Sequence, residues 1–354
     1  MWTHGSSVTE NPLAHDLDHV LDHTRELWEE LRGERLFITG GTGFFGCWLL
    51  ESLLWAQDRL HLGVEAVVLT RNPDAFRAKA PHLAGHGAVT LQLGDVRSFE
   101  FPAGSFSHVV HAATDSSAKL NAEHPLLMLD TIVEGTRRTL DFAVACRAKR
   151  FLLTSSGAVY GKQPPEITHV PEDYPGAPDP LDPRSAYGEG KRLAEHLCAL
   201  VARDSGLEPK IARCFAFVGP YLPLDIHYAI GNFIRDGLRG GPIVVQGDGT
   251  PHRSYLYAAD LAVWLWTILF RGQSCRPYNV GSAEGTTIAE VAHMVADAFA
   301  PGLEVMVVRE ADPHRAPERY VPATTRAQTE LHLQPIVALK ESIARTVAFN
   351  RSVG

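Results

Sequence analysis

A short apolar run, Leu36-Phe37-Ile38-Thr39, leads straight into Gly40-Gly41-Thr42-Gly43-Phe44-Phe45-Gly46 and then into a helical pattern over Trp48–Ala56. No other stretch constrains the fold as strongly. Glycines three apart at a strand-to-helix turn let the chain reverse tightly and bring backbone N–H groups close to a ligand at the helix N-terminus. In that context Gly40, Gly43 and Gly46 predict a dinucleotide-binding turn within a strand–helix–strand unit.

The chain continues in the same alternation. Ala66–Thr70, Val89–Leu93, His108–Ala112 and Arg150–Thr154 read as strands, and Leu126–Arg147 reads as a long helix. The strands are continuous apolar runs, as in a parallel sheet covered on both faces, so the expected class is α/β, a doubly wound parallel sheet. At 354 residues and 45% hydrophobic, the chain can bury a large core. Leu13, Leu17, Val20, Leu21, Leu27, Trp28 and Leu31 form a helical stripe in residues 1–34, read as a helical extension that caps the domain. Residues 35–220 are assigned to the dinucleotide-binding domain. The shorter, mixed elements of 221–354 are assigned mostly to a smaller substrate-binding lobe that interleaves with it at the sheet edge. Seven prolines between Pro164 and Pro183 mark a long loop, a kind that tends to be functional.

That loop runs into Tyr187-Gly188-Glu189-Gly190-Lys191. Four residues apart on a helix, Tyr187 and Lys191 share one face, and an ammonium near a phenol favours the phenolate. The cofactor type is read at the end of the second strand, Leu69-Thr70-Arg71-Asn72. A carboxylate there would bind the ribose hydroxyls of NAD. Arg71 suits a 2′-phosphate instead, which favours NADP over NAD, although it also fits an ordinary surface arginine. Asp95, after the third strand, is placed either at the adenine or as a turn cap.

Net charge is −8 and no Lys/Arg-rich block occurs, which argues against nucleic acid as a partner. Apolar runs such as Val263–Phe270 are too short to span a bilayer, so no membrane association is expected. The five cysteines (47, 146, 198, 214 and 275) lack Cys-x-x-Cys spacing and read as reduced thiols of a cytoplasmic protein. No metal site is assigned, although His15, His19 and His23 recur at four-residue spacing.

Taken in order, Thr39–Gly46, Gly94-Asp95-Val96, His111-Ala112-Ala113, Thr154-Ser155-Ser156-Gly157-Ala158-Val159-Tyr160-Gly161, Tyr187–Lys191, Gly247-Asp248-Gly249 with Arg253-Ser254-Tyr255, and Tyr278-Asn279-Val280-Gly281 resemble the extended short-chain dehydrogenase/reductase family. The resemblance is to its nucleotide-sugar epimerase/dehydratase branch, and it runs from about Arg35 to Pro335. It implies a Rossmann-type cofactor domain, a C-terminal lobe for a nucleotide diphosphate sugar, and a homodimer through paired helices. By position it implies that Tyr187 exchanges the proton of a sugar hydroxyl, at C4, with Lys191 lowering its pKa and holding the nicotinamide ribose. Ser156 is the implied catalytic hydroxyl on the substrate oxygen. Phe44, Phe45, Val96, Ala112, Ala113 and Thr154 are implied to line the cofactor site, and Arg253 to hold the sugar-nucleotide pyrophosphate. Arg315, Arg319 and Asn232 are further candidates for the substrate side.

Two departures narrow the chemistry. In the dehydratases and uronate decarboxylases of this branch, acidic residues follow the catalytic hydroxyl, whereas here Gly157 and Ala158 stand there. Asp115 and Glu189 are the candidates to substitute. The branch often carries an asparagine where Ala216 stands. The expected activity is therefore that of an NAD(P)-dependent nucleotide-sugar epimerase. The alternatives are an NADPH-dependent 4-keto-sugar reductase and, less favoured, a 4,6-dehydratase or decarboxylase. A non-enzymatic binding protein is disfavoured because serine, tyrosine and lysine are all present.

Overall fold

A computed structural model describes residues 11–114, 118–226, 228–299 and 302–353. Seven parallel strands form its central sheet: β1 (Arg35–Thr39), β2 (Glu65–Thr70), β3 (Val89–Leu93), β4 (His108–His111), β5 (Arg150–Ser156), β6 (Glu208–Cys214) and β7 (Pro277–Val280). Their order is β7-β6-β5-β4-β1-β2-β3, so the chain reverses direction of travel between β1 and β4. In open α/β sheets a ligand crevice forms outside the carboxyl ends of the strands at that switch point. This is the Rossmann-type arrangement the glycine turn called for.

Alternate residues of the strands feed separate cores, as a sheet buried on both faces requires. Leu36, Ile38, Val68, Val110 and Leu152 pack with α2 (Phe44–Leu60) and α6 (Ala258–Arg271). Phe37, Val67, Leu69, Val109, Phe151 and Leu153 pack with α3 (Pro125–Ala145) and α4 (Ala186–Ser205). The second core holds an aromatic cluster in which the Phe37 ring lies 4.6 Å from Phe142 and 5.2 Å from Phe99.

A third core belongs to the C-terminal part of the chain. Ile230, Phe233 and Ile234 of α5 (Ala229–Leu238) meet Val291 and Val295 of α7 (Ile288–Asp297), with Ile343 and Val347 of α8 (Leu339–Val353). Beside it, Arg319–Tyr320 pairs in parallel with His252–Arg253, which pairs antiparallel with Thr286–Thr287. Residues beyond 221 do not all stay in this smaller lobe: α6 and β7 return to the main sheet.

The N-terminal stripe is helical in two steps, α1 (Ala14–Thr24) followed by a 3-10 segment, Arg25–Leu31. It is fastened by buried charge. Asp16 accepts from the Tyr257 hydroxyl at 2.5 Å and pairs with Arg345 of α8, while His19 Nε2 lies 2.9 Å from the Asp260 carboxylate. Residues 161–182 contain no helix, and Val170 bridges to Pro322.

Candidate active site

The glycines of the turn serve different physical needs. Gly40 has φ +72°, and a Cβ there would lie 2.4 Å from the Ala112 backbone at the end of β4. A Cβ on Gly46 would meet the Gly40 carbonyl oxygen at 2.3 Å, because α2 starts hard against the turn. Gly43 is the N-cap of α2, without a side-chain cap, and its nearest neighbour would be 3.4 Å away. The free N–H groups of the first turn of α2 thus face a gap, which fits a pyrophosphate.

A cleft of about 1370 Å³ runs from this turn across the sheet edge into the smaller lobe. Gly40, Gly43, Phe44, Phe45, Arg71, Asp95, Val96, Ala112, Ala113 and Thr154 line the end at the glycine turn, and Ser156, Tyr187 and Lys191 its middle. Asn232 and Arg253 line the far end. Gly46 is not among the lining residues and acts by packing. Arg315 is largely exposed, outside the cleft lining, and pairs with Glu318 at 3.3 Å, and Arg319 lines an adjoining cavity of about 380 Å³ that shares Arg253 and Tyr320 with the cleft. Asn232 has its carbonyl oxygen engaged by Arg235 at 3.1 Å. Asp95 is gripped by Arg97 through 2.9 and 3.1 Å contacts, which holds its carboxyl below the usual range. Among the residues named to replace the missing acid, Glu189 sits outside the cleft lining, 3.8 Å from Arg192, and Asp115 lies outside the described residues.

Tyr187 and Lys191 stand on the first turns of α4, as their spacing requires. Asn121 sets the register of this end of the helix: its side-chain oxygen accepts from the Tyr187 N–H at 3.1 Å and its amide donates to the Arg184 carbonyl at 2.8 Å. Lys191 is buried, with Nζ donating to Thr114 Oγ1 at 2.7 Å and to the Thr154 carbonyl at 2.8 Å. Nζ is 5.9 Å from the Tyr187 ring centre. Behind the site, Glu195, one turn after Lys191, accepts from Ser155 Oγ at 2.5 Å and from Arg213 at 2.7 Å, clamping α4 to β5 and β6.

The electrostatics differ from the expectation in one respect. Burial pushes the Tyr187 phenol above its ordinary value, and the polar contact with Ser156 only partly opposes this. The lysine is shifted as well: burial lowers Lys191 from 10.5 to about 8. Desolvation therefore outweighs the simple attraction of ammonium for phenolate. The sign for stability follows. Between about 8 and 10.5 the unfolded chain binds a proton that the folded one does not, so this group makes stability rise with pH in that window and costs stability below it. Lys191→Met is expected to abolish activity and to remove the rise of stability with pH between about 8 and 10.5. Urea melts at pH 8 and pH 10 read the change.

Other cleft residues, Tyr320 among them, were not legible in the sequence. Tyr320 lines the cleft with Phe215, which the sequence placed near the nicotinamide or in the core, their ring centres 4.6 Å apart. Tyr320 follows Arg319 on a strand, and both line the smaller cavity, while Tyr320 alone of the two also lines the cleft. Thr114 and Asn121, which hold Lys191 and Tyr187, are 77 and 66 residues from their partners and carry no local signal.

A family model described as the NAD dependent epimerase/dehydratase family matches residues 36–281. A UDP-glucuronic acid decarboxylase of Arabidopsis thaliana is 32% identical over 309 residues, covering 87% of each chain. Among solved structures, a Thermus thermophilus UDP-glucose 4-epimerase in complex with NAD is 27% identical with a TM-score of 0.73, covering 90% of this chain and 100% of that one. A dTDP-glucose 4,6-dehydratase of Streptomyces venezuelae, also with NAD bound, is 25% identical with a TM-score of 0.75, covering 90% and 97%.

Proposed function

The chain belongs to the NAD dependent epimerase/dehydratase family, and from that premise we propose that it oxidises a carbinol, C4, of a nucleotide diphosphate hexose and returns the hydride to give an epimer. The observation that carries this reading is the meeting of Ser156, Tyr187 and Lys191 in one cleft with the glycine turn. The bound nicotinamide dinucleotide supplies the hydride acceptor and donor. Tyr187 takes the hydroxyl proton and later gives it back, Ser156 hydrogen-bonds the same oxygen, and Lys191 supplies positive charge beneath the phenol. Arg253 pairs with the pyrophosphate of the sugar nucleotide. Arg71, exposed at the cleft rim, favours the 2′-phosphate of NADP over NAD. Gly43 and the first turn of α2 receive the cofactor pyrophosphate.

The absence of an acid after Ser156 supports epimerisation over elimination. A Cβ at Gly157 would lie 2.7 Å from both the Phe215 ring and the Tyr320 hydroxyl, so that space is filled. Gly157→Asp is expected to destabilise the fold by about 1–3 kcal/mol through overpacking. Ala158→Glu, on the partly exposed cleft wall, should be tolerated. Thermal melts of the two variants check this contrast.

A second reading, a UDP-glucuronate decarboxylase, is favoured by the 32% identity to the plant enzyme. Oxidation at C4 would make the C6 carboxylate that of a β-keto acid, which loses CO₂ with the same Ser156–Tyr187–Lys191 set. The two readings separate on product. UDP-glucose and UDP-glucuronic acid are supplied in turn, with NADP or NAD, and the sugar is identified by NMR. A hexose epimer supports the first reading and a pentose with CO₂ the second; turnover of neither, with stoichiometric NADPH consumption when a nucleotide 4-keto sugar and NADPH are supplied instead, would replace both with a reductase.

We assign a homodimer through α3 and α4, whose outer faces expose Leu126, Val144, Leu193 and Leu200. We place the protein in the cytoplasm on its five unpaired thiols. Among the described residues no helix is long and apolar enough to cross a membrane, and no group of three His, Cys, Asp or Glu could hold a metal ion.

A further inference from the structure

We propose that Lys79 is a second cation for the 2′-phosphate of NADP, acting beside Arg71 to set the choice between NADP and NAD. The inference rests on the proposed use of NADP.

In a Rossmann-type site the 2′ position of the adenosine ribose lies against the end of the second strand. Here that end, Thr70-Arg71-Asn72, runs straight into a short helix, Pro73–Lys79. Asn72 fixes the entry, its side-chain oxygen accepting from the Ala75 N–H at 2.9 Å, and Phe76 anchors the helix in the core. Held in this way, the helix returns its last residue to the glycine turn, where Lys79 Nζ donates to the Thr42 carbonyl at 2.9 Å. Thr42, Arg71 and Lys79 all line the cleft. The end of β2 and the glycine turn, the two walls of an adenosine site, thus each carry a cation.

The surrounding charges single out these two. Arg97 is committed to Asp95 at 2.9 Å, and Arg77, on the same short helix, pairs with Asp74 at 2.7 Å and stays outside the cleft lining. Arg71 and Lys79 form no ion pair among the described residues. An ammonium has three N–H groups. One serves the Thr42 carbonyl, which leaves two for a ligand oxygen. A phosphate monoester carries about −1.5 to −2 charge at neutral pH, whereas the ribose hydroxyl of NAD carries none. Asp95, the carboxylate at this end of the cleft, is held by Arg97 through both oxygens and is not free to accept from that hydroxyl. A pair of uncommitted cations therefore suits the phosphate better than the hydroxyl.

Calorimetric titration with NADP and with NAD tests this without any sugar nucleotide. Lys79→Met is expected to weaken NADP roughly five- to tenfold, the worth of one partly exposed charge-assisted contact, and to leave NAD within about twofold. Lys79→Arg should restore most of the NADP affinity. Arg77→Met removes the same charge from the same helix and should move neither ligand. The NADP-specific loss should also shrink as salt is raised. Equal weakening of NADP and NAD by Lys79→Met would mean that Lys79 only braces the turn. Unchanged NADP binding, or an equal loss in Arg77→Met, would likewise overturn the proposal. Tighter binding of NAD than NADP by the unaltered protein counts against the NADP reading, while the difference between the two ligands on Lys79→Met still decides the role of Lys79.

Discussion

Tyr187→Phe lowers turnover of a nucleotide sugar by about 10²–10⁴-fold, the range for removing a positioned acid or base. The ring remains and only the exchangeable proton is lost. Lys191 does not depend on the phenol for its place, because Thr114 and Thr154 hold it at 2.7 and 2.8 Å. The glycine turn is likewise untouched, so dinucleotide binding should persist. Calorimetric titration with NADP and NAD checks this alongside the rate. A Tyr187→Phe protein with full activity would remove Tyr187 from the chemistry, and one that no longer binds dinucleotide would show a structural lesion instead.

Asp16→Ala is expected to destabilise the fold by about 2–3 kcal/mol, although Asp16 is far from the cleft in sequence. Its carboxylate is 5% exposed and takes both the Tyr257 hydroxyl and the Arg345 guanidinium. Removing it leaves a buried phenol and a mostly buried cation without that acceptor. The loss stays at the low end for a buried pair because Arg345 keeps Glu341 as a partner and is about one quarter exposed. Asp22→Ala provides the contrast: its pair with Arg25 is 3.7 Å long and exposed on both sides, worth at most about 0.5 kcal/mol. Urea midpoints for the two variants, with unchanged slopes, test the difference. Equal midpoints would mean that the N-terminal helix is not fastened by charge.

Much of the fold is legible because each strand carries its own signal. The runs at 36–39 and 66–70 are apolar and almost wholly buried, whereas 89–93, at the edge of the sheet, is only partly covered and leaves Leu93 69% exposed. Helix α2 begins earlier than Trp48, at Phe44, because the glycine turn itself supplies the N-terminus. The smaller lobe was less legible, since its strands are only two or three residues long and gain their pairing from distant partners such as Arg319–Tyr320 with His252–Arg253.

Within the site, Ser156, Tyr187 and Lys191 were readable from landmark spacing, and the structure puts them in one cleft with Arg253 and Asn232. What the sequence hid was the filling of the space at Gly157. A glycine in place of an acid reads as a simple deletion, whereas Phe215 and Tyr320 occupy the volume. The balance at Tyr187 was hidden for a similar reason. Four-residue spacing gives proximity to a lysine but not the degree of burial, and burial sets the sign.

The central claim is that a sugar carbinol hydrogen leaves as hydride and returns to the same sugar. UDP-glucose and UDP-glucuronic acid deuterated at C4 test it, incubated with the protein and a catalytic quantity of dinucleotide. The expected product keeps its deuterium at C4, with no net consumption of dinucleotide. Product carrying solvent hydrogen at C4, or no turnover of either sugar nucleotide, would contradict it.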